Sequence, residues 1–481
     1  MTTTVTRRAA TGAALLALTL VPALAGCTSE SEALTVEAKE QSTRTDVPLK
    51  SCDQVQCTGE LAGAAYEIQL PDKWNGTLLI YSHGYRQAEP SPPDFAPVNT
   101  DPAPAATEEV ASALLAEGYA LAGSAFKTNG WDVLDGVAAD EALHTFFTQK
   151  IGTPDRVYVW GDSLGGLITE TLAEKHPEWV SGAAPLCGVL GGSNLNLDLA
   201  LDVAYAVKTL IYPDLKLTGF ASHDEAVANW QGAYDAITKA GGDLKKGVPA
   251  ILLTAALVDA PTQTKTYDGA TIESQVRARA ESILTALGYG TYGRYEIEQR
   301  VGGNASGNDQ TDYATRVSDA ERSLIETVSE GSTDSMLAQL AAGERVTADA
   351  AARAKFHTMG NPTGSLKDPT ITLHTVADPL VLVQNEKVFR DRVYSAKGRT
   401  SDVVQLYTTP PTSYPENPGA PYGAGHCNFT TAQRVGVITL LDGWVQQGTF
   451  PTGGAVTKAF GDDPSVTQAY QPGPWPAADA G

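Results

Sequence analysis

The sequence is short of basic residues: 34 Lys and Arg stand against 56 Asp and Glu in 481 residues, a net charge of −22. No Lys/Arg cluster interrupts this excess, so the surface repels nucleic acid and anionic lipid headgroups, and a nucleic-acid partner is not expected. Long apolar runs are also scarce, and after residue 26 no stretch reaches the roughly 20 apolar residues that cross a bilayer. Histidine and cysteine are few, at seven and five. No His-x-x-His or Cys-x-x-Cys spacing occurs among them, so neither a metal site nor a cofactor is expected. Internal repeats are absent. The hydrophobic fraction is an ordinary 42%, enough for a sizeable core, and the length suits one large domain with insertions or two domains.

What is present begins at the N-terminus. Residues 1–26 have a basic start at Arg7-Arg8, an apolar run from about Ala9 to Leu24 and small residues before Cys27, the pattern of an export signal. Leu24-Ala25-Gly26-Cys27 resembles the bacterial lipobox, which implies lipidation of Cys27 and membrane attachment through that anchor only. Arg7-Arg8 suggests twin-arginine export, but the Ala-Ala-Thr that follows lacks the aromatic and leucine of that signal. Residues 27–48 are polar and without apolar periodicity, as a flexible tether is. The body is expected at the cell envelope, on the outer face of the cytoplasmic membrane, or secreted.

From Ala64 short β-rich runs alternate with helical stretches. AAYEIQLP and TLLIYS, separated by Asp72-Lys73-Trp74-Asn75-Gly76, read as a hairpin or adjacent strands. TEEVASALLAEGY repeats its apolar positions every three and four residues, as a helix does. The strand ALAGSAF, a helix around GVAADEALHTFFTQKIG, the strand RVYVW, the helix LGGLITETLAEKHP and the strand-like SGAAPLCGVLGG follow. This alternation implies a mainly parallel sheet covered on both faces. From about Ser193 the chain turns mostly helical, and strand character returns only at PTITLHTVADPLVLV. A block of that length is not a loop. Residues 193–365 are therefore expected as a helical cap inserted into a core of 49–192 and 366–450. Residues 451–481, rich in Gly and Pro, carry no predicted element.

Gly161-Asp162-Ser163-Leu164-Gly165 is a G-x-S-x-G pentapeptide set between an apolar strand and a helix, the context of a nucleophile elbow. So tight a turn needs small flanking residues, hence Gly161 and Gly165. The helix start beyond Ser163 offers free N–H groups and a positive dipole end to a developing oxyanion. A serine hydroxyl needs a base. Downstream, the order Ser…Asp…His is met by Asp378, just past an apolar strand, and by His426, in a glycine-rich loop. Asp368 is the second candidate acid but precedes its strand. His374 lies within that strand and reads as packed or as supporting the site from behind its direct participants. His83-Gly84-Tyr85 follows TLLIYS, where the backbone N–H groups of Tyr85 and Leu164 would make an oxyanion hole.

Through LLIYSHGY, VYVWGDSLGG, LHTVADPLV and GAGHCNF the chain resembles the α/β-hydrolases over roughly 60–192 and 366–448. The resemblance implies an α/β fold with a doubly wound, mainly parallel sheet carrying the cap. It implies Ser163 as nucleophile, His426 as general base and then acid, and Asp378 fixing the imidazole tautomer. A carboxylic ester hydrolase is the first expectation, with a small-molecule or polymer-derived ester as substrate, because nothing suggests an acidic pocket for a free peptide amine. A secreted serine aminopeptidase is the second, and a non-catalytic surface binding protein the third. His426-Cys427 is also similar to the His-Cys pair of tannases and feruloyl esterases, in which that cysteine bonds to one beside the nucleophile. Here Asp162 stands in that place.

With Cys27 assigned to lipid, four cysteines remain in an exported chain. Cys52 and Cys57 flank a turn-like stretch and make the simplest local pair. That leaves Cys187 with Cys427, which in this fold both belong at the catalytic edge. Such a bridge would tether the histidine loop, with an upper value of about 4–5 kcal/mol in the entropic account.

Overall fold

The computed structural model describes residues 48–328, 332–414 and 423–476. The expected export signal, Cys27 and all but the last residue of the tether lie outside the described residues. Nine described strands form one sheet: β1 (Thr58–Leu61), β2 (Ala64–Gln69), β3 (Thr77–Ser82), β4 (Ala120–Ser124), β5 (Arg156–Asp162), β6 (Gly182–Leu186), β7 (Thr370–Thr375), β8 (Val403–Thr408) and β9 (Val466–Thr467). Their spatial order is β1-β2-β4-β3-β5-β6-β7-β8-β9. The six strands from β4 to β8 run parallel, and β1, β2 and β9 join antiparallel at the edges. Parallel strands here are buried on both faces, which is why TLLIYS and VYVW are continuous apolar runs, whereas β2 alternates buried and half-buried positions.

Helices α1 (Glu108–Ala116), α2 (Val133–Phe146) and α3 (Leu164–Lys175) alternate with these strands. Among the described residues eight helices lie between β6 and β7: α4 (Ser193–Leu210), α5 (His223–Ala240), α6 (Gly247–Ala256), α7 (Ile272–Gly290), α8 (Tyr292–Val301), α9 (Asp319–Val328), α10 (Thr333–Ala342) and α11 (Ala350–His357). Then come α12 (Gln384–Lys397), α13 (Thr431–Gln447) and α14 (Gly453–Phe460). One sheet face packs on α2 and α3 through residues such as Val137, Leu143, Leu167 and Leu172. The other packs on α1 and α13 through Leu114, Val437 and Leu441. The helices of the insertion have a core of their own, with Leu201, Tyr205, Ile251, Leu253 and Leu287 at its centre. They therefore bury apolar surface independently of the sheet.

Two local expectations differ from the structure. AAYEIQ and TLLIYS are not neighbours, because β4 lies between them. β2 pairs with β4 by an antiparallel ladder and β3 with β4 by a parallel one. The turn residues Asp72–Gly76 carry the chain over one strand position, and local turn signals do not report which strand fills the gap. The stretch after Pro451 also holds structure: α14 buries Val456 and Phe460, β9 extends the sheet, and Trp475 is buried. One two-turn helix and a two-residue strand are too short to leave a periodic signal.

Candidate active site

β5 ends at Asp162 and α3 begins at Leu164, so Ser163 reverses the chain in a single residue. It does so at φ 60° and ψ −120°, a region disfavoured for any residue with a Cβ. Close packing holds this strain in place. A Cβ placed on Gly165 would fall 1.9 Å from the carbonyl oxygen of Ser82, and one on Gly161 would fall 2.4 Å from the same atom. The end of β3 thus occupies the space that side chains would need. Two more non-glycine residues with left-handed backbone, Cys187 at φ 42° and Cys427 at φ 50°, belong to the same end of the sheet.

The histidine loop reaches Ser163 through β6. The Ser163 N–H donates to the Leu186 carbonyl at 2.9 Å, and the next residue, Cys187, is joined by a disulfide to Cys427. The second disulfide is Cys52–Cys57. His426, beside Cys427, places Nδ1 2.8 Å from Asp378 Oδ2. Asp378 Oδ1 accepts the backbone N–H groups of Leu380 and Val381, each at 2.9 Å. Burial alone would raise the Asp378 pKa. The facing His426 and His374 rings and the Leu380 N–H outweigh burial and hold the carboxyl below its usual range. An ionised Asp378 favours the proton on His426 Nδ1, which leaves the ring's lone pair on Nε2. Nε2 lies 3.4 Å from Cys427 Sγ, and among the described residues no hydrogen bond joins it to Ser163 Oγ. Catalytic hydrogen bonds of this kind often tighten only once substrate is bound. Asp368 precedes β7 and so lies at that strand's opposite end from Asp378.

Asp162 has a partner that sequence reasoning missed. Arg434, on α13, binds both carboxylate oxygens of Asp162, at 2.5 and 2.6 Å, and donates through its other terminal nitrogen to the Cys427 carbonyl at 3.0 Å. Both side chains are buried. In tannase-like enzymes a disulfide joins the residue before the nucleophile to the one after the histidine. Here an ion pair makes that link, and Cys427 bonds instead to Cys187. The available signal was the charge of Asp162 directly after the apolar run Val157–Trp160 and Gly161, since a buried charge needs a partner.

Tyr85, Ser163 and Leu164 line one narrow slot of ≈ 40 Å³, closed by Trp131, Val189 and Tyr289. Among the described residues neither the Tyr85 nor the Leu164 N–H has a protein acceptor. Tyr85 also lines a broader groove of ≈ 660 Å³, with Tyr292, Tyr295, Gln299, Lys127, Glu89 and Arg300 among its walls. Slot and groove are both lined partly by the insertion, through Tyr289 on α7 and Tyr292 and Tyr295 on α8. Cys187, His426 and Cys427 bring three ligand-type atoms within 4.8 Å of one another, but both sulfurs are committed to the disulfide, leaving no thiolate for a metal.

The donor loop rests on two buried titratable groups. His83 Nδ1 bonds to the Gly84 carbonyl at 2.7 Å and its ring stacks on Phe126 at 4.0 Å. Burial, helped by the Arg86 charge, lowers its pKa to about 4, so the ring is neutral at pH 7. Beneath it, Ser82 Oγ donates to Asp140 Oδ2 at 2.6 Å, while Asp140 Oδ1 has no partner. Burial pushes Asp140 up to about 8. Between the ordinary carboxylate value near 4 in the unfolded chain and about 8 in the folded one, folding takes up a proton, so stability falls as pH rises across that window. Asp140→Asn keeps an acceptor for Ser82 and removes the titration. Denaturant unfolding at pH 5 and pH 8 is expected to show the variant stabilised mainly at pH 8; an equal change at both would rule out a buried, proton-binding Asp140.

No protein-family model matches the chain. An o-phthalyl amidase of Xanthobacter agilis is 24% identical over 429 residues, covering 81% of this chain and 87% of that protein. Among solved structures, feruloyl esterase B of Aspergillus oryzae aligns at a TM-score of 0.36 and 14% identity, covering 82% of this chain and 80% of that one. A proline iminopeptidase of Mycobacterium smegmatis aligns at 0.34 and 12%, covering 81% of this chain and 97% of that one.

Proposed function

We propose that this chain, an α/β-hydrolase by fold, is an exported serine hydrolase that cleaves carboxylic esters. The observation that carries the proposal is the slot itself, which Ser163, Tyr85 and Leu164 line together among apolar side chains. The acyl group enters that slot and its carbonyl oxygen lies between the two N–H donors. Ser163 Oγ attacks the carbonyl carbon while its proton passes to His426 Nε2, and the two donors stabilise the charge on oxygen. Collapse breaks the bond to the leaving alcohol, which takes the proton from His426. Water repeats the sequence on the acyl-enzyme, releasing the acid and restoring Ser163. Asp378 stays ionised throughout and stabilises the imidazolium.

The leaving group faces the groove that Tyr85 also lines. Both groove carboxylates already have cationic or imidazole neighbours: Glu296 binds Arg300 at 2.6 Å, and Glu89 faces His223 at 3.8 Å. Glu296 is thus committed to Arg300, while the half-exposed Glu89 carboxylate is the one groove acid open to a peptide amine, which is why the aminopeptidase reading is tested alongside the ester one. The name of the Xanthobacter relative supports a second reading, cleavage of an amide of an aromatic acid, since the slot is walled by Trp131, Tyr85 and Tyr289. Export fits the two disulfides, which belong to an oxidising compartment. No described helix is long and apolar enough to cross a membrane, and Cys27 remains the proposed lipid anchor.

The test is a matched series: the p-nitrophenyl ester and p-nitroanilide of benzoate, with an unblocked aminoacyl p-nitroanilide alongside. Turnover of the ester orders of magnitude above both anilides is expected. Comparable kcat/KM for the benzoyl anilide would replace the ester reading with the amide one, and turnover of none would remove both.

A further inference from the structure

We infer that His374, enclosed beneath the site, is a permanent imidazolium held between Asp378 and Glu386, and that it is a positioning residue which sets the pH range over which His426 works. The inference rests on the reading of Ser163, His426 and Asp378 as a triad. His374 sits in β7, fully buried. Its Nε2 lies 2.8 Å from the Val381 carbonyl, and 3.7 Å from Asp378 Oδ2. A carbonyl only accepts, so Nε2 carries a proton. Its Nδ1 lies 3.2 Å from Glu386 Oε1. The other oxygen of Glu386 accepts from Thr372 Oγ1 at 2.6 Å and from Gln405 Nε2 at 2.7 Å, an environment for a carboxylate rather than a carboxylic acid. The second proton therefore belongs on Nδ1. A doubly protonated ring satisfies every partner it faces; a neutral ring would set a lone pair against a carboxylate.

The electrostatic surroundings act in the same direction as this geometry. Burial by itself lowers the His374 pKa, but the bond to Glu386 and the charges of Glu386 and Asp378 raise it above its ordinary value. Other titratable groups approach from neighbouring elements. Glu170 on α3 has neither oxygen bonded, and burial, with the charges of Glu174 and Glu386, pushes it well above the carboxylate range. Burial therefore favours its uncharged form. Tyr407 on β8 is raised too, by burial and by Glu386, and is likewise uncharged. The buried cluster thus holds Asp378 and Glu386 against His374, one net negative charge at rest. When His426 accepts the proton of Ser163, the sum becomes zero. Val381 joins the parts mechanically, since its N–H donates to Asp378 Oδ1 and its carbonyl accepts from His374.

Removing the charge of His374 has one direction of effect. With His374→Gln, two carboxylates face a single imidazole. Either His426 holds its proton to higher pH, or Asp378 itself becomes protonated. Both move the acid limb of the kcat/KM profile upward, by about one unit, with about a tenfold loss below the limb. Glu386→Gln added to His374→Gln removes one charge of each sign and should return the limb toward its original position, with KM little changed. A uniform loss at every pH, not recovered in the double variant, would overturn the proposal in favour of packing alone. The charge is also read without activity or mutation, by ¹⁵N NMR of the histidine-labelled protein. His374 is expected to show both ring nitrogens protonated from pH 5 to 8. A neutral or titrating His374 would overturn the inference even if the triad stands. Loss of the triad reading through an active Ser163 variant would leave that spectrum unchanged.

Discussion

Replacing Ser163 with alanine is expected to lower kcat by about five to six orders of magnitude, the scale on which removing a triad serine acts. The fold should survive, because Ser163 Oγ makes no hydrogen bond among the described residues and alanine keeps the Cβ that packs against Gly84. A fluorophosphonate probe should label the parent at Ser163 and leave the variant unlabelled. Ser163→Gly sharpens the test. It is equally without a nucleophile, yet glycine adopts φ 60° without the cost of about 1–3 kcal/mol that a disfavoured backbone imposes. Unfolding midpoints should place the glycine variant above the alanine one. Retained turnover in either variant would end the mechanism proposed here.

The second large effect belongs to Arg434. Arg434→Met keeps much of the side-chain bulk but leaves the Asp162 carboxylate buried without the Nη1 donor that both its oxygens share, and the Cys427 carbonyl without its donor. Breaking one side of a buried pair costs about 3–5 kcal/mol. Equilibrium denaturation is expected to show a loss of that order, and Asp162→Asn in the same chain should recover a good part of it. A loss below about 1 kcal/mol would mean that solvent reaches the pair. Activity should fall as well, because Arg434 links the residue before Ser163 to the residue after His426.

These two residues mark the division between what the sequence makes legible and what it hides. Ser163, Asp378 and His426 each follow a recognisable strand or sit in a glycine loop of the right order, so local patterns placed them within one fold. The cysteine pairing followed from even number and position. Arg434 lies 272 residues from Asp162, in a helix that buries it beside Gln433, Val437 and Ile438. No local period connects them. Glu386 was hidden for the same reason: His374 is legible as a strand histidine that packs or supports the site, but a buried ion cluster is specified by three-dimensional approach, and a histidine in an apolar strand carries no mark of its partners. α6 shows another limit. Its ten residues are buried on every side, so the helical period that identifies amphipathic neighbours is missing from it.

The Cys187–Cys427 bond has a consequence for the chain as a connected object. It closes residues 187–427 into a covalent ring that holds the whole helical insertion together with β7, α12 and β8. A single protease cut within that ring opens it but releases no fragment. A chain nicked in the insertion therefore migrates as one species until a reductant is added, and the segments bearing Ser163 and His426 stay joined through sulfur after the peptide path between them is gone.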